Sequence, residues 1–378
     1  MNEDRLREDF EWLHRNPELA FAEYHTTEYI RAALQQAGVR ILPYALETGV
    51  VAEIGTKGPA AALRADIDAL PVREETDLPY ASQTEGRMHA CGHDFHTAVL
   101  LEAARRLQAE ADALPGRVRL LFQPGEESSA GALKILEAGA LEGVGAIFAL
   151  HTSPLFAAGT VAVRPGAASA AVDRFEIRVH GRGTHAAAPE LGIDPIVAGA
   201  AVVSAVQTIV SRSISPCHAA LVSITHFAAG NTWNVIPDEA FLEGTVRTLD
   251  AADRTLVRTR LAAAAQGAAS ACGASAELCW HAGPPATAND PAWTKLAAET
   301  ALCAQLPAAE DPPSMLGEDF AYYQEKVPGV YIHFGIGLTA PNHNPKFCVD
   351  EAALAPAAAY SAALAKAALG RLAQQGRG

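Results

Sequence analysis

The ten residues Met88–Thr97, MHACGHDFHT, set Cys91 between His89 and His93 and add Asp94 and His96 ahead of an apolar run. Several chemistries use such residues. A thiolate nucleophile needs a histidine base and a third group to orient that base. A structural zinc site needs a second ligand pair of the C-x-x-C or H-x-x-x-H kind, and no such pair stands elsewhere in the chain. A catalytic metal centre needs further donors carried in by other segments. A plainer reading has Asp94 or Thr97 capping the following helix while the rest packs into a core. Taken alone, the stretch leaves metal, nucleophile and packing open.

Three further segments bear on the choice. QPGEESSAGA (Gln123 to Ala132) places Glu126 and Glu127 side by side at the end of a predicted strand, where open α/β sheets keep their sites. Adjacent carboxylates repel unless a cation lies between them. One holding a metal while its neighbour handles protons resolves the conflict. His151 ends the apolar strand AIFALH, and His343 sits in the polar loop NHNPKF before the final helix. Each of these three, taken singly, reads equally well as a solvated loop or a satisfied histidine.

The elements that position these residues follow from hydrophobic period. The chain opens with helical spacing to about Gln36, interrupted near Asn16-Pro17. Strand-like runs GVVAEIG and AALRAD follow, then the helix FHTAVLLEAARRLQAEAD, the strand RVRLLFQP, a small helix from about Ala130 and the strand AIFALH. Strands alternating with helices predict an α/β layer with a mostly parallel sheet. From residue 172 the grammar changes. VDRFEIRVHG alternates apolar and polar, a helix runs from about Asp194 to Ser211, two strands and a helix follow, and ASAELCW closes the set. This β-α-β-β-α-β order predicts a ferredoxin-like sandwich. The expected architecture is thus a two-domain α/β protein: a catalytic domain over 1–171 and 284–378, and an inserted α+β domain over 172–283.

Composition narrows the function classes. The chain has 378 residues, 49% of them hydrophobic, enough for a large core. A formal net charge of −14 argues against nucleic acid and anionic membranes as partners, since both demand a cationic face. The charged start MNEDRLREDFEWLHRN lacks a secretory pattern, and the most apolar stretch, Ile196 to Val210, reads as a buried helix rather than a membrane span. Six scattered cysteines do not form a disulfide framework, so a reduced cytoplasmic enzyme is expected. Cys217, Cys272, Cys279, Cys303 and Cys348 read as small core residues, His89 and His96 as hydrogen-bonding neighbours of the ligand pair, and Trp233 and Phe227 as packing residues, with the lining of an acyl pocket as their alternative.

Taken in order, HRNPELAFAEYHTTEYI, ALRADIDALPVREE, MHACGHDFHTAVLL, LLFQPGEESSAGA, GRGTHAAAP, NVIPDEAFLEGTVRT, MLGEDFAYY and HNPKF resemble the M20 metallopeptidase family over the whole chain. The similarity is to its N-acyl-amino-acid amidohydrolase branch, which includes hippurate hydrolases, auxin-conjugate hydrolases and N-acetyl-amino-acid deacetylases. The resemblance implies two divalent ions, zinc, manganese or cobalt, held by Cys91, His93, Glu127, His151 and His343, with Cys91 bridging them. Glu126 would be the general base. Asp68 would orient a ligand, and Asp66 matches a position where distant relatives carry a metal histidine. His185, on the inserted lid and dimerisation domain, would polarise the substrate carbonyl, often from a partner subunit, and Asn234 would hold the substrate carboxylate. The implied substrate is a small N-acyl amino acid and the implied assembly a homodimer, with a dipeptidase as the alternative activity. The chain departs from many relatives at Gly125 and Ser128, where they read PAEEG, and at Glu190, where they carry a histidine.

A cysteine hydrolase built on Cys91 is the rival within enzymes, and a non-catalytic binding protein the rival outside them. The first predicts activity indifferent to chelators. The second predicts loss of Glu126 or a ligand, and all are present.

Overall fold

A computed structural model describes residues 3–375. The chain divides into two compact units: the larger runs up to Ala168 and adds Ala288–Pro312 and the chain from Asp319 on, and the smaller comprises Ser169–Thr287 and Pro313–Glu318.

The larger unit is built on an eight-stranded sheet. Across it lie Arg40–Ile41, Val50–Ile54, Arg117–Gln123, Ala60–Asp66, Val144–Ser153, Gly329–Gly335, Val161–Val163 and Ala308–Glu310. The four central strands, from Arg117–Gln123 to Gly329–Gly335, are mutually parallel. Every residue of Ala60–Asp66 is buried, as expected of a strand covered on both faces. Its side chains alternate between two cores: Ala61, Leu63 and Ala65 enter one, Ala60 and Ala62 the other. The long helices His93–Ala109 and Leu354–Gln375 pack against the first core.

The helix His93–Ala109 starts differently from the sequence expectation. His93 lies in its first turn, and neither Asp94 nor Thr97 caps it. Gly92 occupies the cap position at φ +82 with no side-chain hydrogen bond. A Cβ there would lie 2.6 Å from the Thr152 side chain, so the turn requires glycine for both conformation and space. Thr97 Oγ1 instead donates to the Asp66 carbonyl at 3.1 Å. Asp94 turns to His14 on the first helix, with Oδ2 2.6 Å from Nδ1, while His14 Nε2 lies 3.2 Å from Glu74 Oε1.

The smaller unit pairs its strands in the order Ala220–Ala229, Glu239–Thr248, Ala171–His180, Ser275–Ala282, all antiparallel, which is the β-α-β-β-α-β sandwich the sequence predicts. Phe175, Ile177 and Val179 point into a core shared with the helices, whereas Arg174 and Arg178 are exposed. Two readings need correction here. The apolar stretch after Asp194 forms two helices, Pro195–Val206 and Thr208–Ser213, and only one face is buried. Ile196 and Val197 are exposed. Trp233 is 91% exposed and is not a packing residue, whereas Phe227, 40% exposed, lays its ring against Gly199. Among the described residues, two helical stretches, Pro195–Ser213 and Glu351–Gln375, are long and apolar enough to cross a membrane. The second lies mostly in the core of the larger unit.

The cysteine reading also changes. Cys217, Cys279 and Cys303 are exposed and Cys272 and Cys348 half-buried. Cys217 and Cys348 sit in loops, Cys279 on the exposed side of a strand and Cys303 at a helix end, whereas Cys272 packs against the core of the smaller unit. Cys91 alone is buried, and all six are unpaired.

The His14 contacts tie the first helix to the turn that carries His93, and they are pH-sensitive. Burial works against a charge on His14, but hydrogen bonds with Asp94 and Glu74 outweigh it and lift its pKa to about 9. A histidine raised on folding adds stability that is complete below its unfolded value of about 6.5 and is lost as pH climbs through the folded value. Unfolding by denaturant should therefore show a stability decline between about pH 6.5 and 9, on the order of 3 kcal/mol in full. His14→Gln should flatten it, and an unchanged slope in that variant would assign the decline elsewhere.

Candidate metal centre

The carboxyl ends of three parallel strands converge on one place, each contributing through the residues at or just beyond its end. Asp66 and Asp68 follow from Ala60–Asp66, Glu126 and Glu127 from Arg117–Gln123, and His151 lies near the end of Val144–Ser153. Cys91 and His93 arrive on the turn that opens the helix His93–Ala109. The loop at Asn342 and His343 docks on that same turn: His343 N–H donates to the Ala90 carbonyl at 2.7 Å, and Asn342 Nδ2 lies 3.5 Å from Cys91 Sγ.

Asp68, 1% exposed, organises the interior. Its Oδ1 accepts from His93 Nδ1 at 3.2 Å and from the Glu126 N–H at 3.1 Å, and its Oδ2 accepts from the Glu127 N–H at 3.0 Å. One carboxylate thus sets the direction of an imidazole and the shape of the Glu126–Ser128 turn. Gly125 precedes that turn at φ +61, and a Cβ on it would lie 2.6 Å from the Phe21 ring. The departure at position 125 is therefore matched by Phe21 filling the space, while buried Glu23 accepts the Gly125 N–H at 2.8 Å.

With Nδ1 engaged by Asp68, His93 turns Nε2 inward. That atom is buried and has no hydrogen-bond partner among the described residues. It lies 3.7 Å from Asp66 Oδ2 and 4.0 Å from Glu126 Oε2. An unpaired imidazole nitrogen facing carboxylates is costly unless a ligand or ion meets it. Cys91 Sγ is 3.5 Å from His151 Nε2, and His343 Nε2 is 3.2 Å from Glu127 Oε1. The potential ligand atoms of Cys91, Glu127 and His343 lie within 4.8 Å of one another, and so do those of His93, Glu126 and Glu127.

The electrostatics favour positive charge. Hydrogen bonds with Cys91 and Glu127 raise His343 to about 10. Burial opposes a charge on His93, yet Asp66, Asp68 and Cys91 hold its pKa well above the usual histidine range. His151 goes the other way: burial, then the neighbouring His96, push it well below that range. A thiol, imidazoles and carboxylates around an unpaired nitrogen form a donor set that suits divalent zinc, manganese or cobalt.

All five ligands implied by the resemblance, together with Glu126 and Asp68, thus belong to one cluster in the larger unit. His185 and Asn234 lie in the smaller unit, where they neighbour one another. The short strands Thr184–His185 and Val235–Ile236 pair with His185 opposite Val235, and the Ala186 N–H donates to the Asn234 carbonyl at 3.0 Å. His185 is exposed.

Asp66 and His96 fall among the ligand atoms as well, but their polar atoms are engaged elsewhere. Asp66 Oδ1 is 2.5 Å from His96 Nδ1, and Oδ2 is 2.5 Å from Arg64 Nη1. His96 is the hydrogen-bonding neighbour expected of it. His89 is not: both of its ring nitrogens are buried without a hydrogen-bond partner among the described residues, and burial lowers its pKa to about 4. The sequence reading passed over Asp319, which accepts from Arg64, Gln123 and the Ala132 N–H. The motif MLGEDFAYY contains it, but nothing in the motif marks a carboxylate that braces strand ends from beneath.

The chain is also similar to known proteins. The model of peptidase family M20/M25/M40 matches residues 62–367. An N-acetyl-L-cysteine deacetylase of Bacillus subtilis is 47% identical over 350 residues, covering 92% of this chain and 84% of that protein. An IAA-amino acid hydrolase of Arabidopsis thaliana is 37% identical over 380 residues, covering 95% and 87%. The crystal structure of a Bacillus subtilis protein described as a dinuclear metal-binding peptidase of the M20 family superposes with a TM-score of 0.89 at 43% identity, covering 97% of this chain and 98% of that one. The chain belongs to peptidase family M20/M25/M40.

Proposed function

We propose that this chain is a metal-dependent amidohydrolase that splits N-acyl amino acids into a carboxylic acid and a free amino acid. The observation that carries the reading is the cluster of Cys91, His93, Glu127, His151 and His343 beside Glu126, with the His93 Nε2 buried and unpaired. The deacetylase and amino acid hydrolase similarities support the substrate class. Those five side chains would hold two divalent ions. Bound there, the ions would supply Lewis-acid polarisation of the scissile carbonyl and lower the pKa of a nearby water.

The remaining work falls to the chain. Glu126, 8% exposed, takes the proton of the attacking water on a carboxylate oxygen and later hands it to the departing amine nitrogen, so the C–N bond breaks without expelling an amide anion. Asp68 holds that glutamate's backbone and the His93 ring in place. His185 donates a hydrogen bond to the carbonyl oxygen as it gains charge, and Asn234 binds the substrate carboxylate. The smaller unit acts as a lid and dimerisation domain. Its edge strand Ala220–Ala229 is open, and exposed Leu221 and Phe227 on it, with Ile196 and Val197 on a neighbouring helix, suit pairing with a second copy. Six unpaired cysteines fit a reducing, cytoplasmic setting. The similarity to a Bacillus subtilis peptidase favours a second reading, dipeptide cleavage by the same groups.

Purified protein should hydrolyse at least one member of a panel of N-acetyl, N-benzoyl and indoleacyl amino acids. A chelator should abolish that activity, and zinc, manganese or cobalt should restore it. Chelator-resistant hydrolysis by protein shown free of metal would favour Cys91 as nucleophile, and cleavage confined to dipeptides would favour the second reading. Glu126→Gln should lower kcat about 100-fold or more while metal content, read by elemental analysis, stays unchanged. If His185 acts across a dimer, inactive Glu126→Gln and His185→Ala proteins mixed and allowed to exchange subunits should regain about a quarter of wild-type activity, because half of the dimers then carry one intact site. No recovery in a mixture shown to contain hybrid dimers would place His185 in the site of its own chain.

A further inference from the structure

Thr152 follows His151 on the strand Val144–Ser153, and each of its polar groups has a separate partner. Its N–H donates to His96 Nε2 at 2.8 Å. Its hydroxyl donates to the Cys91 carbonyl at 2.8 Å. Its carbonyl lies 2.9 Å from His151 Nδ1, and its side chain closes against Gly92. The residue therefore touches both Cys91 and His151, whose Sγ and Nε2 face one another across 3.5 Å.

These partners fix the protons. A backbone N–H only donates, so His96 Nε2 is a lone pair and Nδ1 carries the hydrogen given to Asp66 Oδ1. A backbone carbonyl only accepts, so His151 Nδ1 carries a hydrogen and its Nε2 is a lone pair aimed at the cluster. Asp66 is itself held by Arg64, which anchors the far end of the chain. His96 has no nitrogen left for an ion, although it stands among the ligand atoms.

We propose that His96 and Thr152 form a clamp that fixes the tautomer and direction of His151 and the backbone of Cys91, making His96 a positioning residue of the metal centre. The inference rests on the metal reading above. Only a neutral imidazole in this tautomer accepts at one end and donates at the other across a rigid ring. A glutamine places an acceptor near the Nε2 position. An asparagine keeps only the donor near Nδ1. The two substitutions therefore separate the bond to Thr152 from the bond to Asp66.

The test is titration of metal-free protein with Co2+ against a chromophoric chelator, following the thiolate-to-cobalt absorption in the near ultraviolet and checking thermal unfolding of the metal-free forms. His96→Asn should weaken one of two binding events about 10- to 100-fold, the usual range for residues that orient ligands, and should alter the thiolate band. His96→Gln should recover most of the affinity. Thr152→Val, which keeps the N–H but loses the hydroxyl, should change the thiolate band, and Thr152→Ser should restore it. Wild-type affinity and spectrum in both His96→Asn and Thr152→Val would overturn the clamp. If His96→Asn does not fold, the Thr152 pair decides alone. Wild-type protein that takes up no cobalt would instead refute the metal reading itself.

Discussion

Both oxygens of the Asp68 carboxylate are committed within the site, to the His93 ring and to two successive backbone N–H groups of the Glu126–Ser128 turn. Those three bonds join elements that are remote in sequence: the end of one parallel strand, the first turn of the helix from His93, and the turn beyond the neighbouring strand. Moving any one would turn Nε2 of His93 away from the glutamates.

The rest of the larger unit serves that constraint. Parallel strands covered on both faces bring Asp68, Glu126 and His151 to one edge, and the turn at Gly92 lets the helix start close enough for His93 to reach Asp68. Beneath the site, Asp319 accepts hydrogen bonds from Arg64 and Gln123, which holds adjacent strand ends in step. The Asn342–His343 loop lies on Ala90 and Cys91 and brings His343 in from the C-terminal part of the chain. Each contact is short-ranged, and Asp68, Asp319, Ala90 and Cys91 are all buried.

Much of this was legible in the sequence because the chemistry lies in short runs. The Cys91–His93 pair, the adjacent Glu126 and Glu127, and the two periodicities that separate the parallel sheet from the four-stranded sandwich all show in single segments. The failure of the expected cap was not, because Asp94 and Thr97 turn instead to tertiary partners, His14 for one and the Asp66 carbonyl for the other. Nor was the exposure of Trp233: an aromatic in a loop looks the same in sequence whether it packs or faces solvent. Thr152 is the clearest case. Nothing distinguishes it from any strand threonine until the helix and the Cys91 turn close on it, since its three bonds run to its own neighbour and to residues 56 and 61 positions away.

The central claim is that these side chains hold two divalent ions with Glu126 outside the ligand set. The most direct measurement is anomalous diffraction from crystals grown with zinc or manganese. The account predicts two anomalous peaks per chain, enclosed by Cys91, His93, Glu127, His151 and His343, with no ion ligated by Glu126. A single peak, an ion bound through Glu126, or a Cys91 thiol standing free of any ion in fully loaded crystals would contradict it.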